Sequence, residues 1–373
     1  MYMLTTSLDS LQNEMFLFSR ITNRRFGNRL RAMRTVSSTA VKSCLRLDQN
    51  RRLDAWMAAH DAQQRACFSP ATEKVTVQYI GKLGQPCALQ MTKGLSTPMD
   101  CARHLSSLLA ERSAIALVDG RPWSMFHPFV KDCSLEFLHF KDSHNDPTPA
   151  NDAFWRSASF LLAATLESAF HPTHEVRVIS NPVLKPESGG FFCDIAFTPT
   201  DSAGPTPWVP SAEELRALSV HGQRLATSNL SFELLNPTPS LLESCFADHP
   251  IRLTEICKEL SPANTTSAHV NPSTPLYEGA VYKMGSFVEV SGGPPLISSS
   301  RLIGRFAVSS ILPLGWLRDH TPESHHPILV YRVQGIALPT AFITHFTTFD
   351  RLIHWSKEAN TEAPKKAAYV VDF

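Results

Sequence analysis

With 373 residues, 43% of them hydrophobic and 18% charged, the chain has room for two or three globular domains. A formal net charge of +1 argues against extensive contact with phosphate, and no run approaches the ~20 apolar residues that a membrane span needs. The eight cysteines are scattered without a C-x-x-C pair and read as reduced thiols, not as a disulfide frame.

The near-neutral total conceals an asymmetry. Residues 1–47 carry Arg20, Arg24, Arg25, Arg29, Arg31, Arg34, Lys42 and Arg46 against only Asp9 and Glu14, which leaves the remainder net acidic. From Met15 to Leu47 there is no acidic residue, and MFLFSRITNRRFGNRLRAMR can form a basic amphipathic helix. That is the composition of a mitochondrial transit peptide, with Met15 a candidate start and cleavage expected near 34–41. A disordered basic arm that binds RNA is the competing reading. In a nucleoprotein assembly, so acidic a body would meet mostly protein.

Residues 48–70 are expected to form a helix with Leu53, Trp56, Met57 and His60 as its apolar stripe and Arg51, Arg52 and Arg65 on a solvated face. A small unit comes next, over 71–143. VTVQYI (75–80) alternates as a half-buried strand does, and CALQM (87–91) is a second strand. Ser96-Thr97-Pro98 starts a helix buried through Ala102, Leu105, Leu108 and Leu109. AIALV (114–118) reads as an interior strand before the Asp119-Gly120 turn, and LEFLHF (135–140) closes the unit. His104 and His127 read as structural or exposed.

A larger unit is expected over 152–338. Asp152 is a candidate cap for a helix reaching about residue 170, with Trp155, Ser159, Leu162, Leu166 and Ala169 on one stripe and Arg156 and Phe160 beside it. GGFFCDIAF (189–197) reads as a strand with Cys193 in the core. SAEELRALSVHGQRLA (211–226) reads as a helix whose Ser211 and Glu214 form a capping box, and NLSFELLN (229–236) as a strand. VYKMGSFVEVSGGPPL (281–296) reads as strand, turn, strand and a glycine-proline corner. Neither His171-Pro172-Thr173-His174 nor His325-His326 has the further ligands a metal site needs. SGGPP lacks the lysine and the N–H donors of a phosphate cradle. The final segment, 339–373, reads as an amphipathic helix with Phe342, Phe346, Phe349 and Ile353 as its stripe, then a flexible tail.

Several of these words resemble one family. ALVDGRPWSMFHPF and LEFLHFKD are similar to the TGS domain of threonyl-tRNA synthetases, a β-grasp binding module often close to RNA. WRSASFLL (155–162) and EVSGGPPL (289–296) resemble the two signatures of the same enzymes' editing domain, roughly WHSSAHIL and DLCxGPHV. The resemblance covers about two thirds of the chain, 71–310, and implies an α+β protein: a β-grasp domain followed by the synthetases' second additional, editing-like domain. Laid residue on residue, the histidines of the first signature become Arg156 and Phe160, and the cysteine and histidine of the second become Ser291 and Pro295. Arg156 has only donors, Phe160 and Pro295 have no polar side-chain atom, and a lone Ser291 is an unactivated nucleophile. The expected site therefore has no catalytic residue, no cofactor and no metal. The segment after residue 310 is too short for a synthetase's ATP-binding core. The combination resembles the synthetase-derived proteins of the mitochondrial large ribosomal subunit. That implies a non-enzymatic role in the matrix, with mitochondrial large-subunit ribosomal proteins and some rRNA as partners, no membrane span and no small-molecule substrate. Phe160 and Pro295 would then partly fill the former cleft. A free-standing hydrolase of mischarged tRNA and a soluble tRNA-binding factor are the alternatives.

Overall fold

The computed structural model describes residues 47–67, 73–81, 86–141, 146–170, 176–197, 207–247, 249–260, 279–318, 327–364 and 367–373. Nearly all of the expected transit peptide, both histidine pairs at 171–174 and 325–326, and most of the GKLGQP turn lie outside them.

The first helix, α1, is Leu47–Cys67. Trp56 is its anchor, fully buried, with its indole N–H donating to the Val281 carbonyl at 3.1 Å. Two expectations for this helix are corrected. Met57 is 41% exposed, and Arg52 is buried rather than solvated. The Arg52 guanidinium forks onto the Glu167 carboxylate at 2.9 and 2.8 Å and reaches the Val288 carbonyl.

β1 (Lys74–Tyr79) and β2 (Cys87–Thr92) pair antiparallel. α2 (Pro98–Leu105) starts at Thr97, which exchanges hydrogen bonds with Asp100 in a capping box, and α3 (Ser107–Arg112) comes after a break at Ser106. That break turns Leu108 outward to 51% exposure, against the expected buried stripe. β3 (Ile115–Val118), β4 (Arg121–Trp123) and β5 (Cys133–Leu138) complete a sheet of order β2-β1-β5-β3-β4, in which β1 and β5 are parallel. One parallel pair at the centre of an otherwise antiparallel sheet, crossed by a helix after the first hairpin, is the β-grasp arrangement.

α4 (Thr148–Ala169) holds the centre of the larger unit. It begins four residues before Asp152, with Pro149 in its first turn, so Asp152 is not its cap. Nor has it a single apolar stripe: every residue from Ala153 to Leu166 is buried. A helix buried on all sides is a core element, and any polar side chain on it must find a protein partner.

β6 (Val176–Ser180), β7 (Phe191–Phe197), β11 (Ile303–Leu317), β12 (Leu329–Pro339) and β13 (Val370–Val371) form one sheet against α4, in the order β13-β11-β12-β7-β6. α5 (Ala212–Thr227), capped by the expected Ser211–Glu214 box, also packs on α4. It lines the β11 edge as well, where Gln223 and Ser219 bond to the backbone of Gly304, Phe306 and Val308. A second sheet of order β10-β9-β8 is built from β8 (Glu233–Leu235), β9 (Gly279–Met284) and β10 (Phe287–Gly292). Its outer face meets α1, α6 (Pro239–Phe246) and α7 (Pro250–Glu259). β8 is shorter than the strand expected over 229–236.

The final segment departs most from expectation. α8 (Phe346–Trp355) buries only Phe349, while Phe342 and Phe346 are 44% and 62% exposed. The tail is ordered rather than flexible over 367–373. β13 pairs with the end of β11, and the Tyr369 hydroxyl donates to Asp194 at 2.6 Å. Asp194 is fully buried and also receives the bidentate guanidinium of Arg332, its cross-strand partner.

Candidate functional site

The two signature segments meet in space. α4 brings Arg156 and Phe160, one turn apart, against β10 and the corner after it. Gly292 and Gly293 explain that corner. A Cβ on Gly292 would come within 2.8 Å of the Glu259 carbonyl, and Gly293 has φ +74°, so the strand passes close to α7 and then turns. Ser291, in β10 just before the turn, meets α4 through Arg156.

Arg156 is 2% exposed. Its Nε donates to the Ser291 hydroxyl at 2.8 Å, and its Nη1 donates to the Asn181 carbonyl at 2.7 Å and the Pro182 carbonyl at 3.0 Å. Position 156 is thereby tied directly to position 291. Burial pulls the Arg156 guanidinium below its ordinary range, and Glu259 and Glu289 oppose that pull through space. Both carboxylates are held by Arg252: Nη1 is 2.7 Å from Glu259 and Nη2 is 3.1 Å from Glu289. Burial depresses the Arg252 guanidinium in turn, but its two carboxylates more than reverse the effect. Two cations and two anions thus balance within the protein.

Phe160 is fully buried and turns its ring away from polar company. It makes edge contacts with Phe232, Tyr282 and Phe287 at centroid distances of 5.8, 6.2 and 5.1 Å. Tyr282 links this aromatic cluster to the corner, since its hydroxyl accepts from the Leu296 N–H, next to half-buried Pro295. Burial pushes the Tyr282 phenol up to about 12. Phe160 therefore belongs to the hydrophobic core, not to a cleft lining.

The atoms present limit the chemistry this arrangement can perform. Arg156 offers only N–H donors. Among the described residues, Ser291's hydroxyl is bonded by Arg156 and by no imidazole or carboxylate that could take its proton. The retained acid, Glu289, spends Oε1 on Arg252 and on the Val290 N–H. Cys193 is fully buried in the core, and burial raises its thiol well above the ordinary value. Among the described residues no group of three or more His, Cys, Asp or Glu side chains could hold a metal ion, and no helix is long and apolar enough to cross a membrane. The signature segments bring 156 and 291 into direct contact, while Phe160 joins an aromatic cluster and Pro295 precedes Leu296, whose N–H bonds the Tyr282 hydroxyl. Sequence reasoning missed Asn181 and Arg252: Asn181 meets Arg156 and Arg252 meets Glu289 across 25 and 37 positions, and only the Arg252–Glu259 pair, seven apart on one helix, left a local signal.

Comparison with known proteins identifies the family. Residues 83–139 match the TGS domain. The mitochondrial threonine–tRNA ligase of Homo sapiens is 25% identical over 245 residues, which is 66% of this chain and 29% of the ligase. The threonine–tRNA ligase of Chlorobium phaeovibrioides is 24% identical over 251 residues, 31% of its length. The large ribosomal subunit protein mL39 of Drosophila melanogaster is 32% identical over 287 residues, covering 77% of this chain and 78% of the relative. This chain belongs to the mL39 family. Membership fits the presence of a TGS-type β-grasp unit at the front of the chain. The mL39 match extends over most of both chains, whereas the ligases share less than a third of their own length with this one.

Proposed function

We propose that this chain is a non-catalytic structural component of the large subunit of the mitochondrial ribosome, resident in the matrix and held mainly by protein contacts with some contact to rRNA. On this reading residues 1–47 are a removable targeting segment, and 48–70 an N-terminal helix. Residues 71–143 are a TGS-type β-grasp domain, 152–338 a second domain descended from a tRNA-editing module, and 339–373 a terminal helix and tail. No cofactor, metal or small-molecule substrate is required. The observation that carries the proposal is the Arg156–Ser291 hydrogen bond at 2.8 Å, which occupies with a buried cation the place where hydrolysis would need a proton acceptor. Family membership supports the ribosomal assignment, and the net acidic body favours protein over phosphate as the main partner.

Two measurements test it. In a density gradient of mitochondrial lysate, the chain should travel with the large subunit; recovery only among small complexes would point to a soluble tRNA-binding factor. Purified chain incubated with seryl-tRNA should release serine no faster than buffer does. A rate above that background which falls in Ser291→Ala would make the protein a trans-editing hydrolase instead.

A further inference from the structure

α8 and the turn before it carry apolar side chains on two sides. Leu352 and Ile353 pack with buried Phe349 on the larger core. Phe342, Ile343 and Phe346 face solvent instead, at 44%, 96% and 62% exposure. One exposed apolar residue is ordinary, but three within five positions form a patch of the kind that marks an interaction site.

Charge around the patch is one-sided. Arg301 borders it, since its carbonyl accepts from the Thr340 hydroxyl at 2.7 Å, two positions before Phe342. Arg305 lies 5.3 Å from the Phe349 ring, and Arg351 is exposed on α8. Among the described residues none of these three is paired with a carboxylate, whereas Arg52, Arg252 and Arg332 all are. Asp350 is the acidic side chain of α8. Past the helix end Lys357 and Glu358 cancel, and the exposed His345 and His354 add no negative charge. Three cations thus stand against one carboxylate, on a body that is otherwise net acidic.

That combination selects among occupants. RNA could use the cations, but Ile343, the most exposed of the three apolar residues, has neither a ring to stack on a base nor a donor for a phosphate. A second copy presenting the same surface would bring like charges together. Residues 1–46 of this chain carry eight cations and two carboxylates, so they meet the same repulsion. Residues 261–278 contain a single carboxylate, Glu278, and residues 319–326 contain Asp319 and Glu323 but no apolar side chain other than proline. What fits is an apolar segment flanked by carboxylates and supplied by another protein.

We propose that Phe342, Ile343 and Phe346 seat an amphipathic segment of a neighbouring large-subunit protein, whose apolar side chains cover the patch and whose Asp or Glu side chains meet Arg301, Arg305 and Arg351. An apolar centre inside a charged rim is the usual anatomy of a protein interface. The rim fixes the partner's orientation, and the centre excludes water. This inference rests on the ribosomal reading and gives it one docking surface.

The test uses the full chain inside assembled particles. Ile343 is replaced by the photo-crosslinking residue p-benzoylphenylalanine, large subunits are isolated, and crosslinks are mapped after irradiation. Expected are crosslinks to one stretch of a single other large-subunit protein, in which apolar residues are flanked by Asp or Glu. Arg301→Glu combined with Arg351→Glu, both at exposed positions, should cut the crosslinked fraction of total chain several-fold, while Lys at the same two positions retains it. Circular dichroism of the free variants should match that of the parent. An unchanged fraction in the Glu variant overturns the inference. So do crosslinks to rRNA, to a second copy, to another segment of this chain, to a stretch without carboxylates or to nothing; with the unsubstituted chain in the subunit peak, these leave the ribosomal reading standing. Absence of the unsubstituted chain from that peak overturns both.

Discussion

The four positions at which the signature resemblance places polar side chains behave differently once placed in the fold. Arg156 and Ser291 form a polar joint; Phe160 enlarges an aromatic cluster; Pro295 sits at the corner beside the Leu296–Tyr282 hydrogen bond. Position 160, where the signature resemblance places a histidine, is thus part of the core packing. Placing one there should be costly, because an imidazole among Phe232, Tyr282 and Phe287 loses ring contacts and gains no bonding partner. Phe160→His is expected to destabilise the protein by roughly 2–4 kcal/mol, measured as a lower midpoint of urea unfolding. An unchanged midpoint would show that the pocket around residue 160 is looser than its full burial implies.

At the level of single elements, the sequence is most informative where local rules decide the outcome. The Thr97–Asp100 and Ser211–Glu214 capping boxes start their helices where the residues require, and the short alternating strands of the β-grasp unit fall within a residue or two of expectation. It is least informative where distant packing decides. No local pattern marks α4 as buried on every side, because the sheets and helices that cover it lie elsewhere in the chain. For the same reason Arg52 looks solvated in the sequence and is buried in the fold. Its partner Glu167 is 115 positions away, and nothing near Arg52 announces a carboxylate. α1 is a consequence of that long-range docking. Its residues are polar on average, and Trp56 supplies the largest part of what it buries. Trp56→Ala should cost about 3–5 kcal/mol and free the helix from the smaller sheet. Limited trypsin digestion would read this directly, as faster cleavage after Arg51, Arg52 and Arg65 with the rest of the fold intact; equal cleavage rates would show that the ion pair to Glu167 alone retains the helix.

For the molecule as a whole, the described residues form four apolar clusters joined by specific polar contacts. Ser298 joins the larger unit to the β-grasp unit by donating its amide and hydroxyl to the carbonyls of Ala114 and Ser113 at 2.8 and 2.6 Å. Global stability should also respond to pH through one histidine. His127 stacks on Trp123 at 4.3 Å, and burial lowers its imidazole from the ordinary 6.5 to about 4. The folded state therefore holds it neutral, while the unfolded chain takes up a proton near pH 6.5. Its contribution is complete above that pH and is lost as the pH falls toward 4, a decline on the order of 2–3 kcal/mol. His127→Phe, which keeps a ring over Trp123, should flatten that part of the stability–pH curve; a curve of unchanged slope would assign the acid sensitivity to other groups.

The Tyr369–Asp194 bond has a further consequence, for the order of events when the polypeptide is made. Asp194 is fully buried in β7, yet one of its partners is synthesised 175 positions later. A nascent chain that has reached β7 cannot satisfy that carboxylate, and contacts so remote in sequence form slowly. The larger core should therefore close late, after translation has passed Tyr369, and until then the chain stays open to chaperones and to threading through narrow pores.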